Sequence, residues 1–206
     1  AYCRAEKADG TPVLEASATL GPDHDETLLA ERMGKLRPAG DLVILEDMKV
    51  GMTGPDNELV RMDPDQHMGE LYPFSLNQKL EKITEPNDWY RDADASPWGR
   101  AIVPTEMVSV LGNYTGGMVK WPVKRPSIGL FADLEIKMVN GPLLVGETYV
   151  LRREVVALSE SRRVENYWIR TRFFDAAGET QVAEMLLNHG VMKASYPHYP
   201  ADRLPA

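Results

Sequence analysis

Four segments in the second half of the chain alternate with period two, and this constrains the fold more than any other feature. They are Phe131 to Met138, Thr148 to Leu158, Arg163 to Phe174 and Glu179 to Lys193. In the first, Phe131, Asp133, Glu135 and Lys137 interleave with Ala132, Leu134, Ile136 and Met138. Successive side chains of a β-strand point to opposite faces, so such interleaving marks strands. The breaks between segments are short: Asn140-Gly141-Pro142, Ser159-Glu160-Ser161 and Asp175-Ala176-Ala177-Gly178. Short breaks join antiparallel neighbours, so the spacing predicts a meander of long strands.

One helix precedes this meander. Val103, Met107, Val110, Leu111 and Tyr114 recur at helical spacing, and Val108 widens the stripe. Pro104 suits a first helical turn, where its missing N–H costs nothing. Asn113 and Gly116-Gly117 supply the stop. The predicted class is α+β, an antiparallel sheet around one central helix near residues 103–115.

The first half is less regular. Tyr2 to Thr19 reads as a hairpin turning at Ala8-Asp9-Gly10, since glycine accepts the positive φ of such turns. Leu29, Met33 and Leu36 predict a short helix capped by Asp25 and ended by Pro38-Ala39-Gly40. Residues 41–68 predict one or two short strands. Tyr72 to Ile83 holds a further element of open type. The first hairpin also echoes the last one. Arg4, Asp9-Gly10 and Val13-Leu14-Glu15 parallel Arg172, Asp175-Ala176-Ala177-Gly178 and Val182-Ala183-Glu184, with one extra residue after the later glycine.

Composition removes several function classes. The chain has 206 residues, 43% hydrophobic and 26% charged, which fits a globular domain with a real core. Its formal charge is −8 and its basic residues come only in pairs, so a phosphate-tracking nucleic-acid partner is not expected. A single cysteine, Cys3, excludes an intrachain disulfide and a thiolate metal cluster, and fits a reducing cytoplasmic setting. Apolar runs of four or five residues are too short to span a membrane as a helix, and no secretory signal is visible. His24, His67, His189 and His198 show no metal-ligand spacing, so no metal is expected. Neither a GxGxxG fingerprint nor a P-loop occurs, so no nucleotide cofactor is expected, and no GxSxG elbow marks a hydrolase serine. The start at Ala1, directly in strand-like sequence, points to processing or a larger parent chain.

Residues 84–200 resemble a MaoC-like hot-dog domain, the family of acyl-thioester hydratases and dehydratases. The resemblance rests on four passages: Glu85-Pro86-Asn87-Asp88-Trp89-Tyr90, the run Ser96-Pro97-Trp98-Gly99-Arg100-Ala101-Ile102-Val103-Pro104, Val145-Gly146-Glu147-Thr148-Tyr149, and the turn Ala176-Ala177-Gly178-Glu179. It implies a hot-dog fold over residues 51–206. It also implies that residues 1–50, hairpin and linker helix, are similar to the end of a preceding hot-dog unit. Pairing with a second copy or a partner hot-dog chain is then expected.

The resemblance also implies a chemistry. Hydrating an enoyl thioester needs a base for water, a proton donor, and N–H groups that polarise the carbonyl. The family's Asp-x-Asn-Pro-x-His loop maps onto Glu85, Asn87, Asp88 and Tyr90, so the carboxylate is a methylene longer and tyrosine replaces histidine. Glu85 is then the base that positions water, Tyr90 the donor and Asn87 the loop support. Trp89, Trp98, Gly99 and Thr105 are candidate substrate contacts. The substrate would be a CoA or carrier-protein thioester. Two alternatives stay open. Glu106, in the helix's first turn, would serve a hot-dog thioesterase. A chain with an altered loop would serve as a non-catalytic thioester-binding or partner-completing subunit.

Overall fold

The computed structural model describes residues 1–21, 27–56, 58–70 and 72–204. The chain divides into two compact units, residues 1–37 and 38–206.

In the smaller unit, β1 (Tyr2–Glu6) pairs antiparallel with β2 (Pro12–Ser17). Gly10 has φ +81° and donates its N–H to Lys7 O at 2.9 Å, which closes the predicted turn. Asp9 Oδ1 braces it by accepting from Thr11 N. Every residue of both strands is exposed. Helix α1 (Leu28–Gly34) is capped by the Thr27 hydroxyl, which accepts from Ala30 N at 3.1 Å. Asp25, the cap expected from sequence, lies outside the described residues.

The larger unit holds a five-stranded antiparallel sheet with a helix packed on it. Strands β3 (Glu58–Arg61), β4 (Gly129–Met138), β5 (Thr148–Glu160), β6 (Val164–Phe174) and β7 (Gln181–Met192) lie in the order β3-β5-β6-β7-β4. The four long strands fall where the alternation predicts them, to within two residues at most ends. Helix α3 (Thr105–Tyr114) presses Met107, Val108, Val110 and Leu111 into the sheet. It meets Val60, Tyr149, Leu151, Phe173, Ala183 and Met185 there. Approach is close at Gly112, where a Cβ would stand 2.9 Å from the Phe173 ring. Tyr114, expected on the buried stripe, is instead exposed at the helix's last position.

Residues 38–50 also belong to this unit. Ile44, Leu45 and Met48 pack with Val155, Val191 and Tyr199 in a second apolar cluster. The buried Glu165 carboxylate fixes that segment by accepting from Val43, Ile44 and Leu45 N at 2.8, 2.9 and 3.0 Å. Tyr72 to Ile83 resolves as helix α2 (Leu76–Leu80), started by a Ser75/Gln78 capping box and burying Leu76 and Leu80. Among the described residues of 41–68 there is a single strand, β3, besides an isolated bridge at Thr53. The C-terminal end of α3 is tied to the sheet by a buried ion pair. Arg153 Nε lies 3.0 Å from both Glu58 oxygens, and the guanidinium also donates to Thr115 and Thr171. Among the described residues no helix is long and apolar enough to cross a membrane.

Candidate active site

The loop before α3 is ordered by its own short-range chemistry. Asn87 accepts from Trp89 N at 3.1 Å and so caps a single 3-10 turn, Asp88–Tyr90. That turn swings Tyr90 back over the start of the loop. Its hydroxyl donates to Glu85 Oε2 at 2.7 Å. The sequence separation of five residues is thereby closed into one carboxylate–phenol pair. The Tyr90 ring packs against the main core, while Glu85 stays exposed. Burial, and then the bond to Glu85, pushes the Tyr90 phenol above its ordinary value of 10.0. Tyr90 therefore holds its proton through neutral pH and acts as a donor.

The pair is anchored to the start of α3. Ile102 N donates to Trp89 O at 2.9 Å, and Val103 N donates to Leu143 O at 2.7 Å. Pro104 is the N-cap of α3 and offers no side-chain oxygen, so no side chain caps the first turn. The first N–H groups of a helix lack intrahelical partners and are ready donors to an anionic oxygen. Thr105, at this end, is exposed.

Trp89 and Trp98 meet edge to face with ring centres 5.6 Å apart, both more than a third exposed. Gly99 has φ +63°, a conformation that side-chain-bearing residues seldom adopt, and turns the chain after Trp98. Arg100 then pairs with Glu147 at 2.5 Å and donates to Val145 O at 3.1 Å. The sequence motifs containing Trp98 and Glu147 are thus joined directly.

Glu106 has a different setting. Its carboxylate pairs with Lys79 of α2 at 2.5 Å, and the Tyr72 hydroxyl stands 3.5 Å away. The hydrogen bond from Lys79 raises that ammonium's pKa. Lys79 and Tyr72 carried no motif in the sequence, and only their position around α2 brings them here. His189 is stacked on Tyr167 at 4.7 Å with Phe131 at its edge, and burial lowers its pKa to about 4. His24 lies outside the described residues. Among the described residues no group of three or more His, Cys, Asp or Glu is arranged to hold a metal ion.

Known structures share this fold. The C-terminally truncated HadBC (3R-hydroxyacyl-ACP dehydratase) complex from Mycobacterium tuberculosis aligns over 69% of this chain and 96% of its own, with a TM-score of 0.54 and 14% identity. The chain has the hot-dog fold. A MaoC-like dehydratase aligns over 71% of this chain and 43% of its own, at TM-score 0.52 and 14% identity. A monoamine oxidase regulatory protein from Archaeoglobus aligns at TM-score 0.50 and 13% identity, over 76% of this chain and 96% of its own. No family model matches the sequence, and no curated protein matches it significantly.

Proposed function

We propose that this hot-dog chain is an acyl-thioester hydratase or dehydratase of the MaoC-like type, working with a Glu85–Tyr90 pair. The observation that carries the reading is the 2.7 Å bond from the Tyr90 hydroxyl to Glu85. It joins the two loop residues that stand where the MaoC-like loop has its aspartate and histidine. In the hydration direction, Glu85 removes a proton from water as the oxygen bonds to Cβ and the Cα=Cβ electrons move toward the carbonyl. N–H groups of the first α3 turn receive the charge that develops on the thioester oxygen. Tyr90 then protonates Cα and regains its proton from Glu85. The net change is H and OH across the double bond. Trp89 and Trp98 supply an apolar wall, with Gly99 and Thr105 beside it.

Glu106 is poorly suited to the rival hydrolysis, because Lys79 engages the carboxylate that would attack. The discriminating experiment incubates the chain with crotonyl-CoA and, separately, with a saturated acyl-CoA. Formation of the 3-hydroxyacyl thioester without free thiol supports hydration. Free CoA from both substrates contradicts it. An inert chain contradicts both enzymatic readings and leaves the thioester-binding one.

The smaller unit supports a two-unit organisation. The β1–β2 hairpin pairs Arg4 with Glu15, as β6–β7 pairs Arg172 with Glu184. Its register shifts between Ala5 and Glu6, as that of β6–β7 shifts between Phe173 and Phe174. We infer that this hairpin is the tip of a second hot-dog sheet, whose body lies in another unit of the natural assembly. Hydrogen exchange on that assembly tests it. Protected amides across residues 2–17 are expected, and free exchange there contradicts the inference.

A further inference from the structure

Strand β5 opens with a buried tyrosine that takes no part in the chemistry above. Tyr149 is 5% exposed and packs in the core cluster around α3. Its hydroxyl accepts from Leu144 N at 2.7 Å. A phenylalanine would fill the same core space, so packing does not call for the oxygen. A buried hydroxyl carries a desolvation cost that a hydrogen bond must offset. The role of this oxygen therefore lies in its bond to Leu144.

Leu144 stands directly behind the candidate site. It forms an antiparallel bridge with Ile102. The bonds of that bridge flank the facing pair: Val103 N donates to Leu143 O at 2.7 Å, and Val145 N donates to Ala101 O at 2.9 Å. In such a pair the N–H groups of the two facing residues point away from each other. Leu144 N points back and meets the Tyr149 hydroxyl. Ile102 N points forward and meets Trp89 O at 2.9 Å, one residue from Tyr90. Four layers are thus stacked by hydrogen bonds: Tyr149, residues 143–145, residues 101–103 and the 3-10 turn that carries Tyr90. The third layer runs straight into α3. Pro104 gives that helix start neither a side-chain cap nor an N–H of its own, so the backbone behind it sets where the free N–H groups point. Gly146 N donates to Met62 O at 2.9 Å and holds the far end of the second layer. Tyr149 holds its middle.

We propose that Tyr149 is a positioning residue for the candidate site. Its hydroxyl fixes residues 143–145 and, through them, both the Tyr90 turn and the start of α3. The kinetic part of the test rests on the hydratase reading, and the exchange part does not.

Tyr149→Phe in the full chain removes the oxygen and keeps the ring. Leu151→Val is the control, since Leu151 belongs to the same core cluster and its truncation leaves the Leu144 bond in place. Amide exchange is read residue by residue by NMR. In Tyr149→Phe, the amides of Ile102, Val103 and Val145 are expected to exchange about threefold to tenfold faster. Leu151→Val should show no such excess at these three. Unchanged exchange there in Tyr149→Phe, or the same excess in Leu151→Val, would overturn the proposal. Replacing Leu144 by its α-hydroxy analogue removes the N–H from the other side and should reproduce the result; failure to do so also contradicts it. In kinetics, Tyr149→Phe should lower kcat for crotonyl-CoA about threefold to tenfold with KM little changed. It should also move the alkaline limb of kcat/KM to lower pH. Burial and the Glu85 bond hold the Tyr90 phenol above its ordinary value, and a slackened turn weakens both. A loss of folded protein lowers the rate without moving the limb. A limb that stays in place or rises in an active Tyr149→Phe chain contradicts the proposal. An inert unsubstituted chain removes the hydratase reading, and the exchange result then decides on Tyr149 by itself.

Discussion

Glu85 and Glu106 are carboxylates on either side of the same helix start, and their surroundings separate their roles. Glu85 accepts a hydrogen bond from a neutral phenol, whose O–H leaves the carboxylate's charge uncompensated. Glu106 meets an ammonium, which pairs with that charge and fastens α3 to α2. Loop position gives Glu85 a partner five residues away through one 3-10 turn. Helix position gives Glu106 a partner from a different element. A carboxylate's residue type therefore says less about its chemistry than the donor it faces.

Substitutions sharpen or break this contrast, beginning with the largest effect. Glu85→Gln keeps size and removes the base, so kcat for crotonyl-CoA hydration should fall about 10²–10⁴-fold, read by steady-state kinetics. Full activity in that variant would break the contrast at its first member. Tyr90→Phe keeps the packed ring and removes the donor. Loss of the group that protonates Cα predicts a fall of about 10²–10⁴-fold in kcat, with an unchanged fold by circular dichroism. Trp98→Ala should act on binding, raising KM about threefold to tenfold with kcat little changed. Glu106→Gln should leave hydration unaltered. Its cost is to stability, less than about 1 kcal/mol by urea denaturation, because the pair with Lys79 is largely solvent-exposed on the Glu106 side.

The strands and α3 were legible because burial imposes a period. Phe173, Ala183 and Met185 had to face the helix, and alternation records that. The Glu85–Tyr90 bond was only half legible. Motif matching brought out both residues, but contact between them depends on the 3-10 turn that Asn87 caps. Lys79 and Tyr72 were illegible as partners of Glu106, since long-range ion pairs leave no local pattern. The Arg153–Glu58 pair spans 95 residues and stayed hidden for the same reason. The two hairpins show what local code does by itself. Turn, bulge position and the Arg–Glu pairing recur in both. Yet Phe173 and Ala183 of the later one are buried, while their counterparts Ala5 and Leu14 are exposed. A two-stranded hairpin is marginal without further strands or a helix to pack on, which local sequence cannot report.

The pH dependence of hydration is the most direct test of the phenol as donor. With Tyr90 in the role, kcat/KM for crotonyl-CoA should hold through neutral pH on its alkaline side. It should fall only above pH 10, because burial and Glu85 raise the phenol from its ordinary 10.0. The sign follows from the protonated form being the donor, which is present below the raised pKa and lost as pH climbs through it. A decline centred near 6.5, the range of an imidazole, would assign proton transfer to a histidine and contradict the Glu85–Tyr90 account.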